Sequence, residues 1–246
     1  QFGNERLMMA DFSRLSVKAP FIAMMPQWDF LDFIADQGRA SSNFCLLMET
    51  SAKDLRRNGG LITGVVAEGP GGAVEIDAPL TVAADGRGSI LRQAARLEIE
   101  DLGAPMDVLW FRLSRHADDT DETQGRFAAG AIFIMLNRGD YWQCAFVIPK
   151  GANERIRASG LPAFRERLKG LLPVEPARAE ELTDWQQVKL LNVQVNRLKT
   201  WWRDGFLAIG DAAHAMSPLG GVGINLAIQD AVAAANILAA PLRQGA

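Results

Sequence analysis

The segment from Gly205 to Asp230, GFLAIGDAAHAMSPLGGVGINLAIQD, constrains the fold of this chain more than any other. Its apolar run from Phe206 to Ile209 has the length of a buried strand and leads directly into a Gly-Asp pair. A glycine-rich loop follows, and the apolar pattern predicts a helix from about Gly223 to Ala240. This order is typical of α/β folds, in which ligands collect at the carboxyl ends of the strands.

The residue types of this segment suit a flat ring that carries a hydroxylated chain. The carboxylate of Asp211 can accept hydrogen bonds from sugar-like hydroxyls. Pro218 stiffens the loop, and the glycines at 220, 221 and 223 leave the backbone free of Cβ atoms where a ring could approach. The helix N-terminus presents unpaired N–H groups and a positive dipole end, which favour a ring that gains negative charge on reduction. The alternative is a glycine-rich helix N-terminus without a ligand.

A second segment, VAADGRGSILR from Val82 to Arg92, is also a strand that ends in an Asp-Gly pair. Ser89 precedes two apolar residues and is predicted to cap the helix that follows. The polar residues expected near a ligand are Asp85, Arg87 and Arg92. The alternative is a simple turn followed by a capped helix.

The remaining pattern predicts a β-rich block between two α/β segments. A helix is predicted from Trp28 to Ala40, with Gln27 at its start, and Asn137 to Asp140 is predicted to be a hairpin turn. The predicted strands are Phe21 to Met25, Phe44 to Met48, Leu61 to Ala67, Ala73 to Ile76, Leu80 to Ala84, Val108 to Leu113, Arg126 to Leu136 and Tyr141 to Ile148.

Composition excludes several classes of function. The net charge of −3 offers no basic surface for nucleic acid, and the most apolar helical stretch, Ala231 to Ala240, is too short to span a bilayer. The two cysteines, Cys45 and Cys144, lack metal-ligand spacing and indicate a reduced, cytoplasmic setting. The acidic stretch after His116 also lacks metal-loop spacing and is predicted to be a solvated loop, so no metal site is expected.

In order and spacing, the segments that contain Gln27, Asp85 and Asp211 resemble motifs of the class A FAD-dependent monooxygenases, the family of p-hydroxybenzoate hydroxylase. The resemblance implies that Asp211, paired with Gly210, contacts the ribityl chain of FAD. It also implies that the loop and helix start line the pyrimidine edge of the isoalloxazine ring. The residues concerned are Pro218, Gly221, Val222, Gly223, Ile224 and Asn225. Many relatives have Gln at the position of Val222, so a backbone contact could persist there but a side-chain contact could not.

The other residues receive roles by the same resemblance. Asp85 and Arg87 belong to a motif that supports the FAD site and is associated with binding of reduced nicotinamide. Gln27 matches a position that reaches the phosphate or ribityl region, although a polar residue at a helix N-terminus explains it equally simply. Arg197 fits an arginine that precedes the last FAD strand, or is a surface residue. His214 is expected to be a structural hydrogen-bonding residue.

The fold implied by the resemblance is mixed α/β (α+β), a partial FAD-binding three-layer fold with an inserted antiparallel-sheet substrate domain. Residues 20–97 and 200–246 are assigned to the FAD-binding domain and residues 98–199 to the substrate-binding domain. The G-x-G-x-x-G unit that opens the family does not occur before Phe21. We therefore expect these 246 residues alone to bind FAD poorly and to associate, either as a homo-oligomer or with a complementing N-terminal fragment.

The expected activity is hydroxylation of an aromatic or polyketide-like small molecule, with FAD as cofactor and NADH or NADPH and O₂ as co-substrates. Catalytic residues remain unknown, because the cofactor carries the chemistry. The residues expected to line the substrate pocket come from Arg112, Phe133, Met135, Trp142 and their neighbours. Because the aromatic residues of this sheet alternate in the sequence, most of them are expected to be simply core. The alternatives are a flavin oxidoreductase of the same fold that does not hydroxylate, and a non-catalytic or split flavoprotein fragment.

Overall fold

The computed structural model describes residue 8 and residues 11–128, 130–218 and 221–245. The chain forms two compact units, the first from Gln1–Cys45 with Pro105–Asn192 and the second from Leu46–Ala104 with Val193–Ala246. Helices and strands occur in both units, which confirms the mixed α/β class, whereas the predicted domain bounds stay a prediction. In chain order the elements are α1 (Gln27–Arg39), β1 (Ser51–Asn58), β2 (Leu61–Gly69), β3 (Gly72–Asp77), β4 (Thr81–Ala83), α2 (Ile90–Ala94), β5 (Ile99–Asp101), β6 (Met106–Ser114), β7 (Gln124–Ala128), β8 (Ala131–Asn137), β9 (Tyr141–Pro149), α3 (Asn153–Ala158), α4 (Leu161–Lys169), β10 (Lys189–Leu191), β11 (Asn196–Leu198), β12 (Trp202–Arg203), β13 (Phe206–Ala208), β14 (His214–Ala215) and α5 (Gly223–Arg243).

The first unit contains a five-stranded antiparallel sheet in the order β10-β6-β9-β8-β7. The predicted hairpin turn between β8 and β9 is confirmed, since the Arg138 amide donates to the Tyr141 carbonyl at 3.0 Å and the Gly139 amide to the Asn137 side chain at 2.8 Å. The single β-run predicted from Arg126 to Leu136 is two strands, β7 and β8, which pair with each other.

The core of the first unit lies on one face of this sheet. Alternate residues of β9, from Trp142 to Ile148, are fully buried there, and Phe164 of α4 packs edge-on against Phe111 with ring centroids 5.9 Å apart. Phe133, Met135 and Trp142 all lie within this core, which confirms the expectation that most of the aromatic residues of this sheet are core and does not support their lining a pocket. Arg112 is exposed, and its guanidinium lies 4.4 Å from the centroid of the Tyr141 ring.

The second unit contains three small sheets, with the orders β1-β2-β3, β14-β11-β5 and β12-β13-β4. The predicted strands Leu61 to Ala67 and Ala73 to Ile76 are confirmed as β2 and β3, which pair as an antiparallel hairpin. In the third sheet, β4 and β13 run parallel, with Thr81 opposite Phe206 and Ala83 opposite Ala208. Phe206, Ala83 and Ala208 are buried in a core shared with residues of β1, β2 and α2. The parallel pair therefore brings the two predicted ligand loops to the same edge.

Helix α5 is longer than the sequence pattern indicated. Its 21 residues, with a mean hydropathy of 1.3 over an 18-residue window, make it long and apolar enough to cross a membrane by length and composition, which corrects the expectation from Ala231 to Ala240. The helix extends beyond that stretch at both ends, to Gly223 through the polar Gln229 and Asp230 and to Arg243. Length and composition alone are weak evidence for a membrane span, because core helices of globular proteins meet the same criterion.

Two predicted strands are absent from the structure. Phe21 to Met25 and Phe44 to Met48 are irregular, and the Phe21 side chain is 67% exposed. An apolar run indicates a tendency to be buried but does not supply a hydrogen-bonded neighbour, which a strand requires. Neither segment pairs with a strand within the part of the chain that the structure describes.

Candidate cofactor site

The candidate site lies in the second unit, where two loops leave the carboxyl ends of parallel strands. Beyond the last paired residues of β4 and β13, the Ile209 amide donates to the Ala83 carbonyl at 3.0 Å. The loop with Asp85 to Ser89 and the turn with Gly210 and Asp211 therefore begin side by side. This arrangement places polar groups at the edge of the sheet where α/β folds bind ligands.

The turn that carries Asp211 has a constrained backbone. Gly210 has φ of +57°, and a Cβ atom at this position would lie 3.0 Å from the Cβ of Ala227 in α5. The Ala213 amide donates to the Gly210 carbonyl at 2.8 Å and closes the turn. Only glycine meets both the left-handed conformation and the close approach of the helix without strain.

Asp211 and Arg87 meet across the two loops. The Arg87 Nε atom lies 3.1 Å from Asp211 Oδ2, and the side chains are 38% and 36% exposed. An ion pair this exposed contributes only about 0–1 kcal/mol, so a ligand can exchange with it at little cost. The structure thus brings together two of the predicted cofactor residues and leaves both open to solvent.

The other polar residues of the first loop stabilise its backbone and the start of α2 by hydrogen bonds. Ser89 caps α2, as predicted, by accepting from the Arg92 amide at 3.0 Å. The Asp85 carboxylate accepts from the Ser89 hydroxyl and from the Leu91 amide, so in this structure it stabilises the start of α2. Arg92 is buried and donates to the carbonyls of Ala212, at 3.1 Å, and Arg87. Burial lowers the pKa of the Arg92 guanidinium, and the nearby Asp85 carboxylate opposes this shift. Arg92 therefore joins the two loops.

The glycine-rich loop leads into the N-terminus of α5. The Gly221 amide donates to the Pro218 carbonyl at 3.0 Å, and Gly221 has φ of +64°. Val222 precedes the helix without a side-chain cap, so the first-turn N–H groups of α5 lack that partner. Ile224 and Asn225 are exposed on this first turn, whereas Gly220 lies outside the described residues.

This set of groups fits the ribityl and ring portion of a flavin. A carboxylate can accept from hydroxyls, and a guanidinium can pair with an anion. The N-terminus of α5 lacks a side-chain cap and can receive an anionic group. Just before it, the space beside the Gly221 backbone is open, because a Cβ atom there would meet nothing within 4 Å. Gln27 begins α1 in the first unit, and its contact with the cofactor stays a prediction. Arg197 lies on β11 in an exposed ion pair with Glu100, at 2.8 Å, as expected for a surface arginine.

Asp230 in α5 was missed by the sequence analysis. Its Oδ2 atom accepts from the Gly210 amide at 2.9 Å and lies 2.7 Å from His214 Nε2. This contact confirms the structural role predicted for His214. A spacing of sixteen residues does not correspond to any local pattern, so the sequence did not predict that His214 and Asp230 are partners. A carboxylate inside an apolar helix is unusual unless it is paired, and this could have indicated a role for Asp230.

A buried ion pair in the first unit was also missed. Asp119, predicted to be solvated, is paired with Arg178, and their side chains are 7% and 6% exposed. The Trp142 indole donates to the same carboxylate at 2.8 Å. Hydrogen bonds from Arg178 hold the pKa of Asp119 below its usual range, more than burial raises it. His116 is exposed, as predicted, with Nδ1 2.9 Å from the guanidinium.

Comparison with known proteins gives consistent matches. A family described as "FAD binding domain" matches residues 2–246. The 6-methylpretetramide 4-monooxygenase of Streptomyces rimosus is 33% identical over 246 residues, which cover 97% of this chain and 57% of that protein. The para-nitrophenol 4-monooxygenase of Pseudomonas sp. strain WBC-3 is 23% identical, with 98% of this chain and 60% of that protein covered.

Solved structures agree on the fold. PqsL from Pseudomonas aeruginosa has a TM-score of 0.74 at 22% identity, and the match covers 91% of this chain and 62% of that chain. The p-nitrophenol 4-monooxygenase PnpA from Pseudomonas putida DLL-E4 has a TM-score of 0.72 at 20% identity, with 94% and 58% covered. The chain therefore spans about three fifths of the length of the proteins that it matches.

Proposed function

This chain belongs to the class A FAD-dependent monooxygenases, and we propose that it forms the ribityl- and flavin-binding part of an enzyme that hydroxylates an aromatic or polyketide-like small molecule. Relatives named as 4-monooxygenases of 6-methylpretetramide and of para-nitrophenol support a small organic substrate. NADH or NADPH as reductant, a homo-oligomer or a complementing fragment as partner, and a cytoplasmic location remain predictions.

The observation that carries this proposal is the solvent-open pair of Asp211 and Arg87 at the carboxyl edge of β4 and β13. When bound, FAD would accept reducing equivalents from the nicotinamide and pass them to O₂. The carboxylate of Asp211 would hold a ribityl hydroxyl as an acceptor. Arg87 would then be free to turn toward a phosphate or another anion, because its partner is engaged.

The protein also shapes the surroundings of the ring. The uncapped first turn of α5 would direct N–H groups and the positive end of the helix dipole at the ring edge that gains negative charge. The side chain of Val222 cannot donate a hydrogen bond, so any polar contact at this position would come from the backbone. Buried Arg92 donates to the carbonyls of Arg87 and Ala212, one in each loop, and so would fix the distance between the two loops.

Titration of the chain with FAD, followed by flavin fluorescence, tests the cofactor site. We expect Asp211→Ala to weaken binding by about tenfold, the effect of losing about 1.4 kcal/mol from a hydrogen bond to a charged group. Asp204→Ala is the matched control, because Asp204 is an exposed carboxylate in the neighbouring turn between β12 and β13 and forms no ion pair in the described structure. Equal affinities of the two variants would contradict the assignment of Asp211.

Isotope labelling tests the reaction. With reduced nicotinamide, FAD and ¹⁸O₂, hydroxylation of a phenolic test substrate places one labelled oxygen atom in the product. Consumption of the nicotinamide with transformation of the substrate but without label would favour an oxidoreductase of the same fold that does not hydroxylate.

A further inference from the structure

We propose that Asp230 is a positioning residue for the flavin site, and that it acts through the Gly210 amide and His214. That the ligand is a flavin rests on the proposed function. That Asp230 holds the turn rests on the contacts of the second unit alone. Asp230 is predicted to touch no ligand itself. Its role is to hold the turn that presents Asp211 at a fixed place relative to the N-terminus of α5.

A single carboxylate oxygen makes both contacts. Asp230 Oδ2 accepts from the Gly210 amide at 2.9 Å and from His214 Nε2 at 2.7 Å. The side chains of Asp230 and His214 are 18% and 19% exposed, so water screens the contacts little. An ionised carboxylate has no proton to donate, so His214 must carry its proton on Nε2. The ring of Trp201, with its centroid 5.1 Å away, packs against the imidazole and restrains its orientation.

These contacts join the two elements of the candidate cofactor site, the turn that carries Asp211 and helix α5. Asp230 lies about two helical turns after Gly223, where α5 begins. Gly210 is the residue before Asp211 and already approaches Ala227 of the same helix. Loss of the carboxylate would leave the Gly210 amide without this acceptor and would free the turn to move relative to the helix. Because the charge-assisted hydrogen bonds are the strong ones in this cluster, the carboxylate rather than the helix surface alone fixes the turn.

The experiment compares Asp230→Ala, the near-isosteric Asp230→Asn and the control Gln229→Ala, which changes an exposed neighbour on the same helix. Amide hydrogen exchange by NMR measures protection of Gly210 in the absence of any ligand. Nitrogen-15 NMR reports the tautomer of His214, and since the chain contains only two histidines, His116→Gln assigns the signals. FAD affinity is measured in parallel, and circular dichroism checks that each variant is folded.

We expect Asp230→Ala to lower protection of the Gly210 amide by about tenfold or more and to remove the preference of His214 for the Nε2 proton. Asp230→Asn should restore most of both signals, because the amide oxygen can still accept from the two donors. FAD affinity should fall about tenfold in Asp230→Ala, and by less in Asp230→Asn, as the charged hydrogen bonds are about twice as strong as neutral ones. Gln229→Ala should match the wild type in every measurement.

The two proposals fail in different ways. Unchanged Gly210 protection and an unchanged His214 tautomer in folded Asp230→Ala would overturn the positioning role, whether or not FAD binds. Lack of FAD binding by the wild type even at FAD concentrations that would detect the weak binding expected of these 246 residues, with the expected exchange and tautomer changes, would count against the proposed cofactor and leave the positioning of the turn supported. If Asp230→Ala does not fold, Asp230→Asn decides, because its neutral hydrogen bonds are about half as strong as those of the carboxylate. A partial loss of Gly210 protection would then support the proposal, and protection and a His214 tautomer identical to those of the wild type would contradict it.

Discussion

Replacement of Asp119 by alanine should destabilise the first unit more than any other loss of a single carboxylate there. Asp119 and Arg178 form a two-pronged pair in which Arg178 Nη2 donates to Asp119 Oδ1 at 2.9 Å and Nη1 donates to Oδ2. The same carboxylate accepts from the Trp142 indole, which lies in the core with no exposed surface. Its removal therefore leaves the buried indole N–H without this acceptor, and leaves the buried guanidinium with the Ser114 carbonyl but without its paired carboxylate.

The magnitude follows from the burial of both partners. Removal of one member of a buried ion pair costs about 3–5 kcal/mol, because the other charge stays buried and unpaired. With a urea m-value of about 2–3 kcal/mol/M, the midpoint of unfolding should fall by about 1–2.5 M while m is unchanged. The measurement is urea unfolding followed by tryptophan fluorescence. Asp118→Ala is the control, since Asp118 is an exposed carboxylate in the same loop.

The free energy of unfolding should also depend on pH through Asp119. The pKa of Asp119 is lowered in the folded protein, first by the hydrogen bonds from Arg178. A carboxyl group with a depressed folded pKa contributes stability that is fully present above its unfolded pKa of about 3.9 and is lost as the pH falls toward the folded value. The difference in unfolding free energy between the wild type and Asp119→Asn should therefore be largest above about pH 5 and should shrink toward pH 3.

Two results would refute this reasoning. A loss of less than about 1 kcal/mol in Asp119→Ala at pH 7 would mean that the pair behaves as an exposed salt bridge. A difference between the wild type and Asp119→Asn that stays constant from pH 7 to pH 3 would mean that the carboxylate is not held ionised by its partners.

Two further predictions concern the backbone and the thiols. Gly205→Ala should cost about 2–5 kcal/mol in thermal or urea unfolding, because φ is +76° and the new Cβ would lie 1.9 Å from the Ile62 carbonyl oxygen. Gly59→Ala, with φ of +62° and nothing within 4 Å of the new Cβ, should cost only about 1–2 kcal/mol, and a cost as large as that of Gly205→Ala would argue against the close contact. For the thiols, burial raises the pKa of Cys144, whereas Cys45 is exposed, so iodoacetamide followed by mass spectrometry should modify Cys45 alone until urea unfolds the chain. Modification of both cysteines at equal rates under native conditions would contradict the burial of Cys144.

The parts of the fold that the sequence predicted correctly depend on local chemistry. A hydroxyl before an apolar pair capped α2 at Ser89, and a turn sequence between two apolar runs produced the β8–β9 hairpin. The Gly-Asp turn and the start of α5 at Gly223 were also found where the pattern indicated. In each case the information lies within a few residues, since caps and turns satisfy backbone groups with their own neighbours.

Tertiary structure decided which residues became partners. Arg87 and Asp211 meet although 124 residues separate them, and Asp119 pairs with an arginine 59 residues later. The acidic loop that contains Asp119 was predicted to be solvated, because no residue near it in the sequence indicates that it pairs with the buried guanidinium of Arg178. The apolar run from Phe21 to Met25 read as a strand, yet it pairs with no strand in the described structure. By itself, the sequence determined the cap, the turns and the candidate cofactor loops, because these need only local groups. Ion pairs, strand pairing and the anchoring of the Gly210 turn were decided by the fold, because each needs a partner that only the folded chain brings within reach.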